Sequence, residues 1–301
     1  MNKQTKAIAA VVSAGILWGI TCILVHNLEK FNFDSFQLTF VKMFFAAVIF
    51  CGIVLVRDPR LFKIRLKDIW MFIGTGILSI SLFNICYFYT IVNAGAGVAA
   101  ILLYTSPAFV MILSGIFFKE KFTLQKLFAL LCTFFGCVCV SGFLGNAVPV
   151  PALILVTGIG SGFAYALYSI FGSVALKKYN SVTVTLYTFL FSFAGAIPLG
   201  KVPETVSTLI REPECVLWSV ILGFVCTVLP YFLYTWGLAR MESGIASVLV
   251  AVEPVVGSLI GIFLYHEDHG PTKILGIVLI LSAIVLLSLQ GKKRGKPRSE
   301  K

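Results

Sequence analysis

Ten apolar runs, most of them about twenty residues long and each bounded by charged or turn residues, occupy most of this 301-residue chain. They lie near 7–28, 36–56, 69–92, 96–118, 124–143, 151–176, 182–200, 215–239, 243–265 and 271–290. A hydrocarbon core about 30 Å thick is crossed by roughly 20 residues of helix, so runs of this length predict membrane spans. Lipid offers no hydrogen bonds to a backbone, and the alternation expected of barrel strands is missing, so the spans are read as helices. Composition agrees: 58% of residues are apolar and only 12% are charged, about half the charged share of a soluble domain. The loops leave no room for a soluble domain, which argues against an ordinary cytosolic enzyme. Trp70 and Trp218, opening spans 3 and 8, suit interface anchors.

The net charge of +11 would point to nucleic acid in a soluble protein. Here its distribution matters more. Ten spans place both termini and alternate loops on one side, which carries 19 of the 24 Lys and Arg residues; four lie opposite, and Lys42 sits inside span 2. That bias predicts cytoplasmic termini, with lipid headgroups rather than nucleic acid as the partner of the basic residues. Span 1 is too long for a cleaved signal peptide and carries its small residues early, so it is expected to be retained. Cys22, Cys51, Cys86, Cys132, Cys137, Cys139 and Cys226 fall inside apolar runs without CxxC spacing and read as small core residues.

An offset of 147 positions links unlike residue types in one ungapped register. Gly15 meets Gly162, Lys30 meets Lys177, Gly76 meets Gly223, Tyr87 meets Tyr234 and Gly97 meets Gly244. Ala99 meets Ala246, Pro107 meets Pro254, Glu120 meets Glu267 and Lys126 meets Lys273, while Trp18 falls opposite Tyr165. The expected organisation is therefore a five-helix unit at 1–146, a second at 147–290 and a basic cytoplasmic tail at 291–301. Because five is odd, the second unit enters the membrane from the opposite face. The fold class is thus an all-α integral membrane protein of ten helices in two inverted-topology repeats, an architecture of secondary transporters with a midplane site where the repeats meet.

The segments ILWGITCILV (Ile16–Val25), LLYTSPAFVMILSGIFFKEKFTLQKLFAL (Leu102–Leu130) and SVLVAVEPVVGSLIGIFLYHED (Ser247–Asp268) resemble the EamA-type family of the drug/metabolite transporter superfamily. The resemblance covers nearly the whole chain, in the family's 5+5 arrangement. It implies a ten-helix carrier of the bacterial cytoplasmic (inner) membrane, with many relatives exporting amino acids or other small metabolites. Two positions depart from the family pattern: Lys42 stands where relatives usually carry Arg, and His266 stands where they usually carry Gly.

Glu253 lies ten residues into span 9, roughly 15 Å deep. A carboxylate there costs on the order of 2.5–3.5 kcal/mol unless it faces protein or a wet cavity. It is a candidate for substrate binding and for proton coupling; alternatively it accepts hydrogen bonds from backbone freed beside Pro254 and only fixes the helix. Lys42 either snorkels to the outer headgroups, or attracts a substrate carboxylate or pairs with Glu253. Pro107 and Pro254 are expected to kink spans 4 and 9, exposing carbonyls along a central wall. Gly15 and Gly19, Gly158 and Gly162, and Gly257 and Gly261 are spaced for close helix contact.

Trp18, Tyr87, Tyr104, Tyr165, Tyr168, Tyr231 and Tyr234, with Asn84 one turn before Tyr87, complete the candidate substrate-binding set; Tyr89 and Trp236 join the same aromatic group. Core packing is the competing reading for each ring. His266-Glu267-Asp268-His269 has metal-ligand types, but neighbouring loop residues rarely converge on one ion, so no metal is expected. His26 reads as interfacial. With no GxxxxGK[ST] and no HExxH, neither ATP hydrolysis nor proteolysis is indicated, and no cofactor is expected. The leading expectation is a secondary carrier of a small-molecule substrate, functional as a monomer, most plausibly an exporter of amino acids or related metabolites by alternating access. Lipid or lipid-linked headgroup translocation and a non-transporting scaffold are the alternatives.

Overall fold

The computed structural model describes residues 3–141, 151–266 and 270–293. All its regular elements are helical. Among the described residues, seven helices are long and apolar enough to cross a membrane. One of these, Leu66–Phe118, is 53 residues long, about twice what a bilayer needs, and it turns at Gly95, whose φ of 83° leaves the helical region. It is therefore two spans. With the shorter apolar helices Leu124–Val140 and Ser181–Ala196, the described residues form ten apolar helical segments, numbered as spans 1 to 10, close to the runs read from the sequence.

Span 1 is built from Lys3–Gly19 and Thr21–Glu29, and span 2 from Ser35–Arg57. Span 3 combines Ile69–Ile73, a π-helical stretch Gly74–Ser81 and the part of Leu82–Leu103 before Gly95. Span 4 takes the part after Gly95 and Ser106–Phe118; span 5 is Leu124–Val140, span 6 Ala152–Ala175 and span 7 Ser181–Ala196. Span 8 joins Pro213–Gly223, a π-helical stretch Phe224–Val228 and Leu229–Leu238. Span 9 joins Ser243–Leu249 and Val252–Leu264, and span 10 is Pro271–Lys293.

Helix starts follow local chemistry. Asp34 caps span 2 by accepting from the amides of Phe36 and Gln37, while Gln37 returns a bond to the Asp34 amide. Asn180 caps span 7 at the Thr183 amide, and Thr123 caps span 5 at the Lys126 amide. Span 7 ends earlier than expected. Residues 201–214, read as a loop, contain the helix Val202–Arg211, and Val202 and Leu209 pack against the cluster of Leu24, Leu28 and Phe33. Salt bridges Lys201–Asp34 (3.0 Å) and Lys30–Glu214 clamp its two ends to the segment between spans 1 and 2.

The irregularities recur across the 147-residue offset. The π-helical stretch of span 3 maps onto 221–228, which contains that of span 8. Span 4 breaks at Tyr104–Thr105 and span 9 at Val250–Ala251, one residue from register. The left-handed residue Lys119 (φ 55°) maps onto left-handed His266 (φ 54°). A glycine favours that conformation, so His266 adopts it at a cost of roughly 1–2 kcal/mol.

Packing follows the same exchange. Span 3 lies on span 6 as span 8 lies on span 1; span 4 lies on span 6 as span 9 lies on span 1; spans 2 and 7 pair, as do spans 5 and 10. Gly15 and Gly162 make equivalent approaches. A Cβ on Gly15 would sit 2.6 Å from the carbonyl oxygen of Val250, and one on Gly162 would sit 3.1 Å from that of Leu103, its counterpart in register. Gly19 presses on Glu253 and Val256, and Gly158 on Leu102, so both glycine pairs serve close packing as expected; Gly257 has only Gly19 at 4.0 Å. Cys132, Cys137, Cys215 and Cys226 are buried, but Cys22 is exposed, contrary to its reading as a core residue.

Candidate functional site

Four spans converge on a closed aromatic box. Trp18 of span 1 meets Tyr231 edge-on at 5.0 Å, Tyr234 at 5.8 Å and Tyr165 at 6.4 Å. Tyr168 packs on Tyr231 and Tyr234, and Phe83 of span 3 bridges Tyr165 to Tyr87. Ser79, Ile80 and Ser169 complete the lining. The space open to a water centre inside is about 10 Å³, room for about one water molecule. The rings that were expected to line a solute-sized cavity therefore fill it themselves in this conformation.

Their hydroxyls divide into two groups. Tyr168 is bonded to Thr235 (2.5 Å) and Tyr234 to Ser169 (2.8 Å), so these two tie span 6 to span 8. Among the described residues, the hydroxyls of Tyr87, Tyr165 and Tyr231 have no hydrogen-bond partner. These three, and Tyr104, lie within electrostatic reach of Glu253.

Glu253 opens the second half of span 9, and Ser106 occupies the matching position in span 4. Pro107 and Pro254 do not interrupt continuous helices, as the sequence reading had them. Each lies within the first turn of a new helix beyond a break, where a missing amide hydrogen bond costs little. The first turn of a helix favours a carboxylate through the aligned amide dipoles, which helps to hold Glu253 at this depth. Among the described residues its side chain accepts no bond from a backbone amide. It faces Lys42 and Tyr104 instead.

Lys42 is surrounded by protein and is electrostatically coupled to Glu253 and Cys226, which does not fit snorkelling along a lipid face. Lys42 and Glu253 make no direct contact within 4.0 Å, and each keeps part of its surface accessible. A lysine and a glutamate thus lie within electrostatic reach of each other, without an ion pair, beside the aromatic box. Asn84 stands apart: buried, it donates to the Ile80 carbonyl (2.6 Å), and Thr39 donates to it (3.2 Å). Trp236 is also outside the group, covered by the Arg240 guanidinium at 3.9 Å, and Tyr89 is exposed.

The two ends of the protein are packed unequally. Every residue from Ser243 to Val252 is buried, whereas of the matching residues 96–105 only Ala99, Leu103 and Tyr104 are. The basic face is sealed by contacts that the sequence reading did not assign. Glu120 accepts from the amides of Ser243 (2.9 Å) and Gly244 (3.3 Å), Lys126 pairs with Glu242 (2.5 Å), and Ser173 bonds Ser243 (2.9 Å). Nearby, buried Asp68 accepts from Lys178 (2.6 Å) and Tyr179 (2.8 Å). Glu120 and Lys126 had shown themselves only as matched positions of the repeat.

Among the described residues no group of three His, Cys, Asp or Glu side chains is placed to hold a metal ion. Glu267, Asp268 and His269, together with residues 142–150 around the expected repeat boundary and 294–301 of the tail, lie outside the described residues. His26 packs edge-on against Tyr265 at 5.4 Å.

The model of the EamA-like transporter family matches residues 5–142 and again 152–289. An uncharacterized transporter of Archaeoglobus fulgidus is 27% identical over 90% of this chain and 94% of its own. The uncharacterized inner membrane transporter YicL of Salmonella typhimurium is 23% identical over 98% and 99%, and the uncharacterized transporter YetK of Bacillus subtilis is 20% identical over 97% and 90%. A protein of known crystal structure superposes with a TM-score of 0.75 at 15% identity, covering 96% of this chain and 99% of the other, so the two share a fold. With the family model met twice along its length and ten apolar spans to carry it, this multi-pass membrane protein belongs to the EamA-like transporter family.

Proposed function

We propose that the protein is a secondary carrier that exports small organic metabolites, amino acids first among them, across the cytoplasmic membrane by alternating access between two inverted five-helix repeats. The observation that carries this reading is the placing of Lys42 near Glu253, without direct contact, beside an aromatic box in which three tyrosine hydroxyls have no hydrogen-bond partner among the described residues. A zwitterionic solute matches that arrangement: its carboxylate suits Lys42, its ammonium suits Glu253, and its apolar part suits the rings.

Two further features support the mechanism. The matched breaks, π-helical stretches and packing pairs favour repeats at 1–146 and 147–290, each able to take the other's conformation. The tight basic-face end and the looser opposite end are what one of two alternating states requires. Positive-inside bias makes the sealed end cytoplasmic, with both termini on that side. One chain suffices to surround the site, which favours a working monomer.

The test is counterflow. Pure protein in liposomes, loaded with a mixed amino-acid pool, should take up labelled amino acid saturably, and Glu253→Gln should weaken the apparent affinity and remove the pH dependence of the exchange that remains. Folded protein giving no counterflow above empty liposomes would overturn the amino-acid assignment and direct the search to other metabolites and then to lipid.

A further inference from the structure

The sealed basic face holds a set of contacts that the transport reading does not use. Glu120 follows Lys119, whose left-handed backbone (φ 55°) turns the chain sharply at the end of span 4. That turn carries the Glu120 carboxylate beneath the start of span 9, where it accepts from two successive amides, Ser243 and Gly244, at 2.9 and 3.3 Å. Six residues on, Lys126 is almost completely buried; its ammonium donates to the Lys121 carbonyl (3.0 Å) and pairs with Glu242 (2.5 Å), the residue just before those amides. Ser173 bonds Ser243 from span 6, and about one turn deeper the same span bonds span 8 through Ser169–Tyr234 and Tyr168–Thr235.

These bonds have a directional consequence. The segment between spans 4 and 5 grips the first turn of span 9 with a carboxylate and an ammonium at once. Charge-assisted hydrogen bonds are roughly twice as strong as neutral ones, and burying Lys126 makes loss of its carboxylate unfavourable. Span 9 carries Glu253 one helix-half deeper, beyond the Val250–Ala251 break. Opening the basic face therefore requires Glu120 to release Ser243 and Gly244, and Lys126 to release Glu242, before the half-helix Ser243–Leu249 can leave span 6. In the matching half-helix after Gly95, Gly97 lies against the Ser141 carbonyl, whereas Gly244 lies against Met111 and Glu120.

We propose that Glu120, supported by the Lys126–Glu242 pair, is the positioning residue that latches the basic face shut and thereby sets the balance between the two access states. This rests on the alternating-access reading given above, and it adds to that reading the residues that govern the gate.

Hydrogen exchange measured by mass spectrometry on the full-length protein in nanodiscs tests the proposal without a substrate. In Glu120→Ala, the amides of Ser243–Leu249 should exchange about tenfold faster, and those of residues 96–103 at the other end should exchange more slowly, because releasing one gate allows the other to close. Glu120→Gln, which keeps an acceptor oxygen without the charge, should fall between. Lys126→Met, which leaves the Glu120 contacts in place, should move both regions in the same directions and provides a second route if Glu120→Ala does not fold. Faster exchange at Ser243–Leu249 alone, with residues 96–103 unchanged in both variants, would mean simple local capping and would overturn the latch. Counterflow with no reciprocal exchange change likewise overturns the latch but leaves the carrier. The reciprocal change without counterflow of any solute upholds the latch and removes the carrier.

Discussion

Replacing Gly15 or Gly162 by alanine should destabilise the protein, while the same change at Gly52 should not. In Gly15→Ala the new methyl would begin 2.6 Å from the Val250 carbonyl oxygen and 2.6 Å from a Val252 methyl. In Gly162→Ala it would begin 2.5 Å from the Thr105 hydroxyl and 3.0 Å from the Leu102 carbonyl oxygen. Comfortable contact needs roughly 3.5 Å, so span 1 must move from span 9, or span 6 from span 4, by about an ångström. The opposing carbonyls lie at helix breaks and cannot swing aside like the tip of a side chain. Overpacking of this kind costs about 1–3 kcal/mol, or roughly 5- to 150-fold in the folding equilibrium. A methyl on Gly52 meets nothing within 4 Å on an exposed face of span 2, and removing glycine from a helix interior gains about 0.5–1 kcal/mol. Equilibrium unfolding in mixed micelles, titrated with a denaturing detergent, reads all three on one scale. Wild-type stability in both Gly15→Ala and Gly162→Ala would refute the close approach and, with it, the equivalence of the two break contacts.

Three further outcomes follow from named contacts. Asp34 lies outside the spans; burial raises its pKa, but the Gln37 amide, the Lys201 ammonium and the Phe36 amide outweigh this and hold it below the usual aspartate value. Its contribution is therefore full above about pH 4 and is lost as pH falls through the lower folded value. Asp34→Ala should cost about 1 kcal/mol at pH 7, and Asp34→Asn, which keeps the cap, at most about 1 kcal/mol from the exposed pair with Lys201. The acid limb of the unfolding curve should flatten in both variants. Asn84→Ala should cost about 1 kcal/mol by removing its bonds to Thr39 and the Ile80 carbonyl, with counterflow affinity unchanged; an affinity loss at wild-type stability would instead make Asn84 a binding residue. Tyr231→Phe should leave unfolding within about 0.5 kcal/mol, since its hydroxyl has no hydrogen-bond partner among the described residues, yet should weaken counterflow several-fold.

Helical character, the succession of apolar segments and the pairing of residues at an offset of 147 were legible in the sequence because they are one-dimensional properties. Lipid accepts only long apolar helices, and duplication leaves matched prolines, glycines and acids in register. Glu253 was legible for the same reason, since a carboxylate deep in an apolar run is conspicuous wherever it faces. The helix Val202–Arg211 was not, because ten mixed residues around a proline give too short a pattern to separate from a loop.

What each side chain does was decided by tertiary packing. Asn84 and Tyr87 are one turn apart in span 3, yet Asn84 is spent on Thr39 and the Ile80 carbonyl while Tyr87 comes within reach of Glu253. Tyr168 and Tyr234 proved to be ties between spans, whereas Tyr165 and Tyr231 kept their hydroxyls unbonded. Lys42 faces a carboxylate 211 positions away rather than lipid, and Glu120 grips amides more than 120 positions along the chain. Periodicity ranks the positions of one helix by face, but it carries no information about which helix stands opposite, at what depth or at what distance. Those quantities are set when ten helices close on one another, and in this protein they separate the residues that tie spans together from those that face the gap between Lys42 and Glu253.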